Sequence, residues 1–285
     1  MNFDNIDWEA MWREECSRGP WKEGAAAKDL WDKRAPRFNK GVKRQNDDTD
    51  GEKHDYISKM LQRIRVQPDW TVLDIGCGPG TLGIPLAKKA KSVTGLDVSP
   101  EMLRFLGENA EKNGLDNVNC VNASWQDTFA GDLIEPHDVI VASRSLMGAE
   151  VKNALIAIDG LARRSVYVTF PVIHLSLDWD AYEAIGRGRK KHPSYIYILN
   201  MLYQMNIQAN LELLESEVRF EFASVEDAME QTGWRTGQMS DEEGGKLRGF
   251  FEDMFASQTE PPFVHNGRSL WALVWWEKGE RRDLS

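Results

Sequence analysis

Between about residues 70 and 170 the chain alternates two rhythms. Five short β-branched runs, TVLDI (71–75), SVTGLD (92–97), NVNCVN (117–122), DVIVAS (138–143) and SVYVTF (165–170), stand out, and TVLDI, DVIVAS and SVYVTF are mostly apolar. Strands covered on both faces of a parallel sheet read this way, whereas a half-exposed strand alternates. Thr81–Lys91, Ser99–Asn113 and Ala149–Arg164 separate them and are long enough for crossover helices. Ser99 followed by Pro100 predicts a capped helix start, and Gly114 a left-handed residue just past that helix. Right-handed crossovers then bring the strand C-termini to one edge, where open α/β sheets bind ligands.

On either side the pattern changes. Helical periodicity predicts Asp7–Cys16, Ala25–Ala35 stopped by Pro36, and Gly51–Ile64, with a mobile polar loop over Lys40–Asp50. After Pro171, residues 173–209 are aromatic, basic and largely helical in pattern. A strand follows at Leu211–Phe222, then a helix Ser224–Thr232 behind the S-x-x-D pair Ser224 and Asp227. A charged helix Asp241–Ser257 stops before Pro261-Pro262, and Ser269–Glu277 is a last strand. The expected fold is α/β, a Rossmann-like doubly wound seven-stranded sheet. Residues 1–66 form an N-terminal helical extension, 67–285 the main domain, and 173–209 a helical insertion after the fifth strand. Trp8, Trp12, Trp21 and Trp31 crowd the extension. Such residues either anchor an accessory element or line a ligand site. A segment this short lacks a core of its own, so it is expected to close over the main domain as a lid.

Composition narrows the function classes. Forty-five acids against 35 bases leave a net charge of −10, which argues against a protein that coats nucleic acid and predicts no DNA partner. The longest nearly apolar stretch, Ser165–Leu177, is shorter than the roughly 18 residues of a spanning helix, so no membrane partner is expected. The acidic N-terminus lacks signal-peptide order. Cys16, Cys77 and Cys120 offer neither a disulfide framework nor a CxxC metal pair. A cytoplasmic protein without a metal is the expectation.

The most informative segment is VLDIGCGPG, Val72–Gly80, at the first strand-to-helix turn. Its glycines, Gly76, Gly78 and Gly80, permit a tight turn and a close ligand approach. Their spacing is not the dinucleotide G-x-G-x-x-G, because Thr81 occupies the next position. Asp74 ends the first strand and Asp97, in GLDVSP, ends the second. An acid at Asp97 suits ribose hydroxyls, and Asp74 suits an ammonium group better than a pyrophosphate.

DIGCGPG followed by GLDVSP strongly resembles the class I S-adenosyl-L-methionine-dependent methyltransferase family, over roughly Trp70–Phe170. The resemblance implies S-adenosyl-L-methionine as cofactor. It places Gly76 and Gly78 near the methionine part, with Cys77 and Gly80 in the same loop. Asp74 organises the ammonium end and Asp97 the ribose, with Val98 and Met102 beside it. Ser124 stands where many members carry an acid for the adenine amino group, Trp125 packs on the ring, and Ser143 borders the transferred methyl. Trp31–Phe38, WDKRAPRF, resembles the aromatic-basic lead-in that folds over the cofactor.

Methyl transfer from a sulfonium needs positioning, which supplies roughly 7–11 kcal/mol in favourable cases. A base is needed only where the acceptor loses a proton. His174 and Tyr182, with Asp178, are the polar groups nearest in sequence to the fifth strand's exit. No N-P-P-Y or D-P-P-Y run follows the fourth strand, where SRSLM stands, and no Pro-Cys pair serves C5-pyrimidine chemistry. A small molecule, or failing that a protein side chain, is the expected acceptor. In residues 173–209, Trp179, Tyr182, Tyr195, Tyr197 and Tyr203 are candidates to wall its pocket. Arg187, Arg189, Lys190 and Lys191 either steer an anionic acceptor or form a solvated loop. Two rival readings stay open: a non-catalytic cofactor-binding regulator and an NAD-dependent dehydrogenase.

Overall fold

The computed structural model describes residues 5–17, 24–46, 55–126, 134–148, 150–173, 176–188 and 193–279. Three helices come first: α1 (Trp8–Ser17), α2 (Gly24–Asn46) and α3 (Asp55–Arg63). The alternating region follows as β1 (Thr71–Ile75), α4 (Gly83–Ala87), β2 (Ser92–Asp97), α5 (Pro100–Lys112), β3 (Val118–Asn122), β4 (His137–Ser143), α6 (Val151–Leu161) and β5 (Ala162–Ile173). The remainder is α7 (Ser176–Ala184), α8 (Tyr195–Gln204), β6 (Asn210–Phe222), α9 (Val225–Thr236), α10 (Asp241–Phe255) and β7 (Phe263–Glu277). One seven-stranded sheet has the order β3-β2-β1-β4-β5-β7-β6. β1 to β5 are parallel, and β7 runs antiparallel to both β5 and β6. The strand order reverses beside β1, where β2 and β4 flank it, and a crevice opens at the carboxyl edge of such a switch point.

The apolar runs are explained by cover on both faces. Leu73, Ile75, Ile140, Ala142, Val166 and Val168 point to the side of α6 and α8. Their in-between neighbours Val72, Val139, Val141 and Tyr167 point to the side of α3 and α4. Successive side chains of a strand alternate faces, so only a sheet buried on both sides requires both sets to be apolar. Among the described residues no helix is long and apolar enough to cross a membrane.

Among the described residues, the helices of residues 1–66 bury themselves at different places rather than in a common core. Trp12, on α1, is fully buried in the α6–α8 face; its Nε1 donates to the Gly148 carbonyl at 2.7 Å and its ring meets Phe170 edge-on at 5.7 Å. Tyr56, Ile57 and Met60, on α3, are buried in the opposite face. α2 lies along α5, where Asn109 Nδ2 donates to Asn39 Oδ1 at 2.8 Å.

Two sequence expectations need correction. α2 does not stop at Pro36 but continues to Asn46. An interior proline costs about 3 kcal/mol of helix stability, and burial of Ala35, Asn39 and Val42 outweighs that local preference. The expected loop is therefore helical from Lys40 to Asn46, and its remainder lies outside the described residues. β7 begins at Phe263, six residues before the expected start, because Phe263–Ser269 pairs with β6 alone as a ribbon beyond the end of β5.

Trp12→Ala should lower the unfolding free energy by about 3–5 kcal/mol, the usual cost of deleting a buried aromatic ring. Trp12→Phe, which keeps most of the packing, should lose far less. Urea unfolding distinguishes them; an alanine variant as stable as the wild type would remove α1 from the core.

Candidate functional site

The turn after β1 owes its shape to backbone angles that glycine tolerates. Gly76, Gly78 and Gly80 have φ of +68°, +54° and +93°, in the left-handed region. The Gly76 and Cys77 amides donate to the Leu96 carbonyl at 2.7 and 3.1 Å, and the Gly78 amide to Asp97 Oδ2 at 2.9 Å. Their surroundings differ. A Cβ on Gly76 would lie 2.3 Å from Ser145 Cβ, and one on Gly80 2.6 Å from Leu106 Cδ1. Packing within the protein therefore requires those two. A Cβ on Gly78 would meet only Met102 Sδ, at 3.9 Å, so Gly78 is where the loop leaves an approach open. Cys77 is buried among Ile84, Leu103, Leu106 and Ala110. Burial pushes its thiol well above the ordinary range, with Asp74 and Asp97 adding to the effect. It is a packing residue rather than a nucleophile.

Two carboxyls converge behind this turn. Asp74 is 2% exposed, and its Oδ2 has no hydrogen-bond partner. Burial, and then the charge of Asp97, raise its pKa to about 7, although the Gly83 amide works the other way. Asp97 Oδ2 accepts from Gly78 N and Oδ1 from Ser99 N, each at 2.9 Å. Burial still raises Asp97 above the usual carboxylate range, and Asp32 of α2 contributes further repulsion. The Asp32 carboxylate accepts from Ser99 Oγ at 2.5 Å and from Lys28 Nζ at 2.7 Å. An opposite charge brought near Asp74 would restore its ionised form, which burial and Asp97 disfavour.

The other sequence candidates fall into three groups. Val98 and buried Met102 join Asp97 at the start of α5, where Ser99 caps the helix by accepting from Met102 N at 3.1 Å. Ser124 and Trp125 follow β3, both half-buried, with Trp125 against the α6–α8 core. Ser143 ends β4, its Oγ 2.8 Å from Tyr56 Oη, which also lies 2.9 Å from Thr169 Oγ1.

Tyr182 stands apart from these. It lies on α7, which packs on α9, α10 and β7, and burial raises its hydroxyl pKa, disfavouring the phenolate. Arg187 corrects the reading of the basic run. It pairs with Glu243 at 2.6 Å and donates to the Thr236 and Gln238 carbonyls at 2.5 and 2.6 Å, fastening the end of α7 to the α9–α10 turn. The pairing holds Glu243 at about 2. His174, Arg189, Lys190 and Lys191 lie outside the described residues.

Sequence reasoning missed several supports. Asn122 Nδ2 donates to the Asp97 and Val98 carbonyls at 3.0 and 3.1 Å. Asn109 Nδ2 donates to the Pro79 carbonyl at 2.8 Å. Ser145 Oγ donates to the Ile75 carbonyl at 2.6 Å, locking the β4 exit onto the glycine turn. An asparagine at a strand end is a legible signal for Asn122; the others have none nearby. No cluster of potential metal ligands occurs among the described residues.

Comparison with known proteins agrees with this geometry. Residues 67–165 match a family model described as a methyltransferase domain. An uncharacterized protein of Haemophilus influenzae is 36% identical over 247 residues, covering 86% of this chain and 88% of that protein. The 23S rRNA (uracil(1939)-C(5))-methyltransferase RlmD of Enterobacter sp. strain 638 is 27% identical over 175 residues, 60% of this chain but only 38% of RlmD. Among solved structures, the YcgJ protein of Bacillus subtilis has a TM-score of 0.56 at 12% identity, covering 80% of this chain and 100% of that one; the likeness is one of fold.

Asp74 gives the ligand-free protein a pH signature. Its folded pKa, about 7, lies above the ordinary value of 3.8, so the folded state holds the proton more tightly. Its contribution should be fully present below about pH 4 and be lost as pH rises through 7. Relative to Asp74→Asn, wild-type stability should therefore decline across that window in urea titrations; parallel profiles would place the pKa of Asp74 near its unfolded value.

Proposed function

Because the chain belongs to the class I S-adenosyl-L-methionine-dependent methyltransferase family, we propose that it methylates a small molecule presented at the exits of β4 and β5. The carrying observation is the orphaned Asp74 Oδ2 and the open Gly78 face beside Asp97, at the sheet's switch point. A ligand with an ammonium at one end and ribose hydroxyls at the other fits that arrangement. In this reading Asp74 balances the ammonium and Asp97 accepts from the ribose hydroxyls. Gly78 admits the ligand to the backbone, and Ser124 and Trp125 face the adenine. When bound, the cofactor supplies a methyl carbon whose bond to sulfur breaks as the acceptor's lone pair forms the new one, the old electron pair staying on sulfur.

The chain's own contribution is then to position and to exclude water. Ser145 ties the β4 exit to Ile75, and Ser143, Tyr56 and Thr169 form one hydroxyl cluster across β4 and β5. These contacts fix the surface against which an acceptor is held, and such positioning accounts for much of the rate in displacement chemistry.

The acidic charge of the chain and the SRSLM segment after β4 support a small acceptor. Uracil C5 methylation, the activity in RlmD's name, draws on a thiol nucleophile. Here Cys16 and Cys77 are buried in cores and Cys120 sits on the edge strand β3.

Calorimetric titration with S-adenosylhomocysteine tests the site. Asp97→Ala should weaken binding by about 1.5–3 kcal/mol, the scale of hydrogen bonds to a charged group. Wild-type affinity should rise between pH 6 and 8 as Asp74 ionises, a rise absent from Asp74→Asn. Undiminished affinity in a folded Asp97→Ala protein would overturn the assignment.

Slower hydrogen exchange in α2 on ligand binding is also expected, because Asp32 ties that helix to the start of α5. Unchanged exchange would make α2 a support rather than a lid.

A further inference from the structure

We propose that Arg144 is the anion anchor of the methyl acceptor, its guanidinium binding a carboxylate or phosphate group that the acceptor carries. The inference rests on the methyltransferase reading and adds the acceptor's chemistry to it.

Position comes first. Arg144 directly follows β4, between Ser143, which meets Tyr56, and Ser145, which packs on Gly76. The backbone of Arg144 thus leaves β4 one residue before the contact with the glycine turn.

Conformation is the second observation. Arg144 has φ of +60°; the other non-glycine residue at positive φ among those described is Asn206. Asparagine is at home there, whereas arginine pays a steric cost. The strain is maintained by a specific bond, from the Arg144 amide to Thr169 Oγ1 at 2.9 Å. Residues held this way against local preference cluster at binding and catalytic sites.

The third observation is electrostatic. The guanidinium lies 4.6 Å from the centroid of the Tyr56 ring and 5.8 Å from that of Trp271. Both rings are buried and pack edge-to-face at 6.0 Å, so the shelf beneath the cation is rigid. Arg63, Arg104, Arg164 and Arg187 each pair with a carboxylate. Arg144, in a chain with ten more acids than bases, pairs with none among the described residues. It is exposed. Stacking on aromatic faces pre-orders a guanidinium without using its in-plane donors, and those donors match the two oxygens of a carboxylate or phosphate. Arg187, by contrast, has its donors engaged by Glu243 and two carbonyls.

Benzoate and phenyl phosphate are suitable probes, titrated by tryptophan fluorescence into the full chain, with and without saturating S-adenosylhomocysteine. Wild type should bind at least one of them, and the tighter probe identifies the anion as carboxylate or phosphate. Arg144→Asn keeps a residue that accepts positive φ and removes the cation; it should weaken that binding at least tenfold. Arg144→Lys should recover only part of it, since an ammonium lacks the fork. S-adenosylhomocysteine affinity should stay within twofold in both variants. Failure of both anions to bind wild type, or equal binding by Arg144→Asn, would overturn the anchor. Failure of wild type to bind S-adenosylhomocysteine would overturn the methyltransferase reading instead, with the cofactor-free titration still deciding on Arg144.

Discussion

The working edge of this protein depends on one carboxylate. Asp97 takes the Gly78 amide on one oxygen and the Ser99 amide on the other, and so joins the glycine turn after β1 to the start of α5. Around that junction the remaining contacts are organised. Leu96, its neighbour, receives the Gly76 and Cys77 amides through its carbonyl. Asn122 reaches back from β3 to the Asp97 carbonyl, and Asp32 comes in from α2 to Ser99. Without the Asp97 carboxylate the Gly78 amide of the turn and the Ser99 amide at the helix cap would both lose their acceptor.

The cost of this design is electrostatic. Asp97 is used as a structural acceptor in a place where burial already disfavours its charge, and Asp74 lies close enough to be repelled by it. Replacing Asp74 with a neutral group would relieve the tension. The exit of β4 repeats the logic with the opposite sign, placing a strained cation on a rigid aromatic shelf a few residues from the acids.

How much of this was legible in the sequence follows from how local each cause is. β1 and β2 were read to the residue, because each is a short β-branched run set between helical patterns. Ser99 and Ser224 cap their helices as read, and Gly114 has φ of +67°, because caps and turns are decided within four residues. The glycine turn and its two acids were legible for the same reason. Pro36 misled because the evidence against its local meaning lies on α5. Arg187 misled because Glu243 is 56 positions away. The bonds of Tyr56, Asp32 and Ser145 have no local signal, their partners lying 87, 67 and 70 positions away along the chain. Distant pairing leaves no periodicity to read.

The burial of Trp12 constrains how the chain can be made. Its ring packs on Phe170 and its indole N–H is received by Gly148, both well over a hundred residues downstream. During synthesis at roughly 5–20 residues per second, α1 therefore waits on the order of 10–30 s before the surface that buries it has emerged. Tyr56 waits longer, since it shares its face of the sheet with Trp271 in the last strand. These helices are made well before the surfaces that bury them, and their aromatic side chains stay unburied in the interval.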